Sequence, residues 1–254
     1  MTPASRPGPR AWAALIGAEA RMVVRDTPGL LIPFALPLLI LVMNALGSAK
    51  QVVPGTGGRT TVDLYVVPLA LAIGTATIAV VNLPSFLAYY RTAGVLRQLA
   101  VTPARPIMVL VAQLVVSAAQ TAAGIALALG IATVAFDVHL PAAPAGALGV
   151  LCLAALAMYA VGLLVAAVAP TGNAAVAIGM TLFFAMGAVG GMFGGTGNLP
   201  GALAGIGEAL PFGAAVKALG AAWAGATPQP AQLVSLAVTV VVCGLLAARL
   251  FRWR

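Results

Sequence analysis

Charge is what this sequence has least of. Only 7% of its 254 residues are Asp, Glu, Lys or Arg and 62% are hydrophobic, against about a quarter charged in an ordinary soluble domain. Water is therefore not its only solvent, and the chain reads as an all-α integral membrane protein. Its length leaves room for roughly six spans of about 20 residues with loops, and for no soluble domain with a core of its own. Acids are scarcer than bases, five against thirteen. In a soluble protein that excess would suggest nucleic acid. Here the basic residues flank apolar segments and act as topology signals, which excludes a nucleic-acid partner. Cysteine is nearly absent: Cys152 and Cys243 lie in uncharged runs and form neither a disulfide framework nor a metal spacing. The single histidine, His139, reads as a solvated or capped turn residue, so no metal site and no catalytic residue is expected. No G-x-x-x-x-G-K-[ST] run occurs. The nearest, from Gly55 to Thr60, lacks the spacing and the lysine, so the chain itself binds no ATP and is not an enzyme. Asp63, Asp137 and Glu208 fall at span ends or in loops, which argues against an ion-coupled carrier.

What the sequence has is a series of apolar segments. The start, with Arg6 and Arg10 before a short apolar run broken by Glu19, Arg21 and Arg25, is expected to be retained rather than cleaved. Residues 11–26 read as an amphipathic, interfacial helix with Trp12, Leu15, Ile16, Met22 and Val23 on one stripe and Arg21 and Arg25 opposite. Glu19 falls inside the apolar stripe with no base three or four positions away, so it needs a partner from elsewhere: an arginine of residues 87–106 or of a docked protein, or else the headgroup layer. Spans follow at 29–49, kinkable at Pro33 and Pro37, and at 64–87, 107–136, 146–169, 174–193 and 231–248. Gly194 to Pro230 is too broken by Gly and Pro for one straight span and too apolar for a solvated loop. It is predicted to form short outer re-entrant helices around Leu199–Leu210 and Phe212–Ala224.

The interruption at Leu87 to Pro106 is long, polar and acid-free, and carries Arg91, Arg97 and Arg105. Val95, Leu96, Leu99 and Ala100 share one side of a helical wheel and Arg97 and Gln98 the other, which predicts a short helix lying on the membrane surface. With six spans and both termini inside, Arg6, Arg10, Arg21, Arg25, Arg91, Arg97, Arg105, Arg249, Arg252 and Arg254 lie on the inner side and only Lys50, Arg59 and Lys217 outside. That asymmetry places the 88–106 loop and both termini in the cytoplasm. Within span three, Gln113, Ser117, Gln120, Thr121 and Gly124 recur at three- and four-residue spacing and share a face. They serve either interhelical packing or a substrate path.

In their order along the chain, three stretches resemble the membrane subunit of type-2 ABC exporters, in particular the separate-chain permeases of bacterial drug and antibiotic efflux. These are the flat N-terminal helix before RDTPGLLIPFALPLLIL, the YRTAGVLRQLAVTPARP loop, and NLPGALAGIGEALPFGAAVKAL before the last span. The resemblance implies a permease in the bacterial cytoplasmic membrane, paired with a second permease in a homo- or heterodimer, in contact with lipid and driven by a separate nucleotide-binding ATPase that carries the ATP and Mg. It implies that Arg91, Gly94, Leu96, Arg97, Leu99 and Pro103 contact that ATPase, and that outer helices around Pro200, Glu208 and Pro211 close the exit. In that family an acid usually follows the arginine. Here Thr92 and Ala93 stand there, which leaves Glu19 as the candidate compensating acid. The cargo would be hydrophobic or amphipathic. An ATP-independent pore or a membrane scaffold is the alternative.

Overall fold

The structure is a computed structural model in which residues 8–47, 51–94 and 106–251 are described. Every long element is helical, as apolar backbone requires where no water is present to satisfy N–H and C=O groups. Helix α1, Pro9–Arg25, is followed directly by α2, Thr27–Gly47. Helix α5, Pro106–Phe136, then α6, Pro144–Val168, α7, Gly172–Val189, and α10, Pro230–Leu250, make four further spans. Between α2 and α5 lies a composite span, Val62–Thr92, built of α3, Val67–Ala76, and α4, Leu83–Thr92, each preceded by a π-helical turn, Val62–Val66 and Thr77–Asn82. Among the described residues six helices are long and apolar enough to cross a membrane.

Both π turns have a sequence cause. Pro68 and Pro84 stand two residues beyond them and have no N–H to give the carbonyls of Leu64 and Val80 four residues back, so the α-helical ladder fails at those two points. The composite span is also the most enclosed. Leu69, Ile73, Ile78, Val80 and Leu83 are almost wholly buried, whereas α2, α5, α7 and α10 turn residues such as Leu39, Val134, Phe184 and Val241 outward, the lipid-facing pattern of a helix at the rim. Glycine permits the closest approaches. A Cβ at Gly162 of α6 would overlap the Ala79 carbonyl, and one at Gly179 of α7 would overlap the Val80 carbonyl and lie 3.1 Å from the Val81 Cα. The second π turn is thus gripped between two glycine faces.

At the end away from α1, the chain leaves α7 through Gly191, Gly194 and Gly195, all at positive φ, and a 3₁₀ turn at Thr196–Asn198. It enters α8, Gly201–Ala209, which meets α9, Pro211–Trp223, at an 82° bend. Leu210, held extended by the proline after it, makes the corner. These two helices occupy the ground expected for re-entrant segments, with α8 beginning two residues later than its predicted start.

The Leu87–Pro106 stretch differs from expectation at its beginning. The second span was expected to stop at 87, but its helix runs on to Thr92, and Leu87, Ala88 and Tyr90 are buried in it. The stretch therefore starts as the end of a core helix, because Leu87 and Tyr90 find apolar neighbours beside α1 and α7, and it leaves the helix at Gly94, whose φ is +71°. Leu96, Arg97, Leu99 and Pro103 lie outside the described residues.

Candidate functional site

At the end that carries α1, the composite span is tied to its neighbours by two polar contacts. Arg91, in the last turn of α4, donates from Nη1 to the Ala166 and Ala167 carbonyls at 3.4 and 3.5 Å and from Nη2 to the Ala169 carbonyl. Ala166 and Ala167 lie in the last turn of α6 and Ala169 is the residue that follows it, so these carbonyls have no helical donors and sit at the negative end of its dipole, and a guanidinium is the side chain best suited to cap them. The second contact corrects the expected partner of Glu19. It is buried and accepts a hydrogen bond from the Tyr90 hydroxyl, so its partner is neither an arginine nor a lipid headgroup. Val23, Phe86, Val109 and Val116 enclose the pair, and burial raises the Glu19 carboxyl above its ordinary range despite the hydroxyl that favours ionisation. Arg21 turns back to the Gly17 carbonyl of its own helix at 3.1 Å, and Arg25 is exposed in the last turn of α1.

A second polar centre lies one turn into α2. Pro33 cannot donate to the Gly29 carbonyl four residues earlier. Two amides from other spans take that acceptor: Asn82 Nδ2 at 2.9 Å and Gln120 Nε2 at 3.1 Å. Asn82 also donates to Gln120 Oε1 at 3.4 Å, so α2, the second π turn and α5 are joined at one carbonyl. Of the other span-three polar residues, Thr121 shares a 2.7 Å hydrogen bond with the Tyr159 hydroxyl of α6. Ser117 is buried, and Gln113 is fully buried with neither amide atom partnered among the described residues. The face predicted from spacing thus faces inward, with Gln120 and Thr121 bonded to neighbouring spans.

A cavity of about 180 Å³ adjoins the Gly29 centre, lined by Asp26, Gly29, Thr77, Asn82, Ser85 and Val176 among others. Asp26 and Asn82 were legible as residues but not as a pair. Their meeting depends on the carbonyl freed by Pro33, and proline in a span was the signal that could have pointed to it.

At the opposite end, Glu208 of α8 forms an ion pair with Lys217 of α9 and accepts from Thr196 at 3.2 Å, bracing the 82° corner. Pro200 precedes α8 and Pro211 opens α9. His139 is an exposed residue of the turn after α5, but it has a carboxylate beside it that the sequence reading did not give it. Asp63, fully buried, accepts its backbone N–H at 2.8 Å and lies 3.3 Å from its Nδ1, so the histidine does have a carboxylate beside it, brought there by the turn after α5. Asp63 also accepts from the Thr60 amide and hydroxyl, and the cluster fastens the loop before the second span. Among the described residues no group of His, Cys, Asp or Glu is arranged to hold a metal.

Six apolar helices, an enclosed second span interrupted by π turns, and a bent helix pair at one end define an all-α, multi-pass membrane protein. The chain belongs to the ABC-2 type transporter family, whose model matches residues 10–222. It is accordingly the permease component of an ABC transporter, a class that works with an ATPase partner. No curated protein matches the sequence.

Proposed function

We propose that this chain, with a second permease and a separate ATPase that carries ATP and Mg, exports a hydrophobic or amphipathic compound across the bacterial cytoplasmic membrane by alternating access. Both termini and residues 88–106 lie in the cytoplasm in this reading, since ten of the thirteen basic residues then fall on the inner side. The observation that carries it is the latch of Arg91 on the end of α6. The basic loop leaves the most enclosed span at that point, so a push on the loop is delivered to α4 and α6 together. Leu96, Arg97, Leu99 and Pro103 would meet the ATPase, with Gly94 as the pivot, while α8 and α9 around Pro200, Glu208 and Pro211 gate the exit.

The test is affinity purification of the chain from its native membrane in mild detergent, with mass spectrometry of what accompanies it. A P-loop ATPase should be recovered and should be lost in Arg97→Glu, which spares the α6 cap. A well-folded wild-type chain that brings down no ATPase would favour an ATP-independent pore or scaffold.

A further inference from the structure

The cavity beside Gly29 is lined by acceptors. A Cβ on residue 29 would overlap Asp26 Oδ2 and lie 3.0 Å from Asn82 Oδ1, so both oxygens converge on the same point. The Gly29 carbonyl can only accept, which turns the Asn82 nitrogen toward it and leaves Oδ1 free of any hydrogen bond among the described residues. Ser85 gives its hydroxyl proton to the Asn82 carbonyl at 2.7 Å, and its oxygen lone pairs remain. The Asp26 side chain makes no ion pair or hydrogen bond among the described residues, and no basic residue lines the cavity. Arg25 is exposed on α1, and Arg91 is spent on α6.

An anion is disfavoured here although α2 begins at this point. Asp26 already sets a carboxylate at the helix N-terminus, Pro28 removes one donor, and the Leu30 N–H is taken by the Asp26 carbonyl at 2.8 Å. A carboxylate and an amide oxygen facing an otherwise apolar hollow call for a cation with N–H donors. The volume suits a headgroup rather than a whole drug-sized molecule, whose pockets run from about 300 Å³ upward. Of its lining residues Pro28, Ile32 and Val176 are exposed, and Ile32 of α2 and Val176 of α7 are apolar side chains on membrane spans, a route by which a molecule in the bilayer enters sideways with its tail left outside.

We propose that this cavity is a headgroup site for protonated amines, filled from the bilayer, with Asp26 as counter-ion and Asn82 Oδ1 and Ser85 Oγ as acceptors. That the bound amine is the cargo rests on the exporter reading; the site itself does not.

The test uses the full-length chain in phosphatidylglycerol nanodiscs, without any ATPase, and a diazirine-bearing dodecylamine whose photo-adducts are mapped by mass spectrometry. Adducts should concentrate on α2 and α7 around Ile32 and Val176. Their apparent affinity should fall about 10- to 100-fold in Asp26→Asn, the size expected for a charge-assisted hydrogen bond, while the matching diazirine alcohol is indifferent to that change. Val176→Trp, which fills the cavity from the opposite wall without altering charge, should abolish the mapped adducts, and it decides the matter if Asp26→Asn does not fold. Equal labelling by amine and alcohol, or adducts unchanged in both variants, would overturn the site. Adding phosphatidylethanolamine distinguishes the source. Competition makes the occupant a lipid ammonium and its absence a free amphiphile, and either supports the ammonium site. Because no ATPase is present, the site can stand where co-purification fails, and fail where it succeeds.

Discussion

The Arg91 guanidinium closes on the Ala169 carbonyl, joining the last turn of α4 to the last turn of α6 at the point where the chain turns toward α7. Charged hydrogen bonds of this kind are worth about 1.5–3 kcal/mol. Arg91→Ala should lower the melting temperature measured in detergent, and Arg91→Lys should recover only part of the loss, since one ammonium cannot span three carbonyls. If the latch carries the stroke, Arg91→Lys retains the ATPase on purification yet moves less cargo per ATP hydrolysed. Unchanged stability in Arg91→Ala would show the cap to be energetically idle.

The glycine grip on the second π turn predicts a position-specific cost. Alanine at 162 or 179 drives a methyl group into the carbonyl of Ala79 or Val80, backbone atoms that cannot rotate away, and should destabilise by several times the ordinary effect of a glycine-to-alanine change, about 0.5–1 kcal/mol. Gly149→Ala in the same α6, with nothing within 4 Å of the added carbon, is the control and should be neutral or slightly stabilising. Equal melting temperatures for all three would remove the grip.

Span number and the two short helices before the last span were legible because they depend on apolar run length and on proline and glycine punctuation, which are local. What stayed hidden depends on which spans become neighbours. Pro33 was visible as a kink, but that its orphaned acceptor, the Gly29 carbonyl, would be met by Asn82 and Gln120 required knowing that α2, the second π turn and α5 converge. Glu19 was visible as an acid in need of a partner, and the candidates were an arginine or the headgroup layer. The answer was Tyr90, the residue beside Arg91, because helical rotation turns Tyr90 toward α1 and Arg91 toward α6. His139 and Asp63 are 76 residues apart, and only the antiparallel run of two spans brings them together.

Glu19 gives a pH dependence with a definite sign. Folding favours its protonated form, so its contribution is present in full below the ordinary value of 4.5 and is lost as pH rises through the higher value it has when buried. Glu19→Gln keeps an acceptor for the Tyr90 hydroxyl and removes the charge. The variant should melt higher than the wild type at pH 7–8, with the two curves converging as pH falls toward 4.5. Parallel curves across that window would mean that the carboxyl is not penalised by its surroundings.

The polar face of α5 predicts opposite outcomes for two glutamines of the same helix. Gln120 donates to the Gly29 carbonyl and accepts from Asn82, so Gln120→Leu leaves that carbonyl with Asn82 as its one amide donor and one Asn82 N–H without its acceptor, and should destabilise, by about 1–3 kcal/mol for a buried unpaired group. Gln113 has no such partners and is fully buried among apolar residues including Val109 and Val116, so Gln113→Leu exchanges two unsatisfied polar atoms for packing and should stabilise by a similar amount. Comparing the two variants with the wild type by thermal melting in one detergent makes stability the first readout, and transport the second. If Gln113→Leu is more stable and still exports, Gln113 is not on the substrate path. If it is more stable but transport is lost, its unpaired amide is held in reserve for the cargo or for another state of the cycle, and its cost in stability has a function.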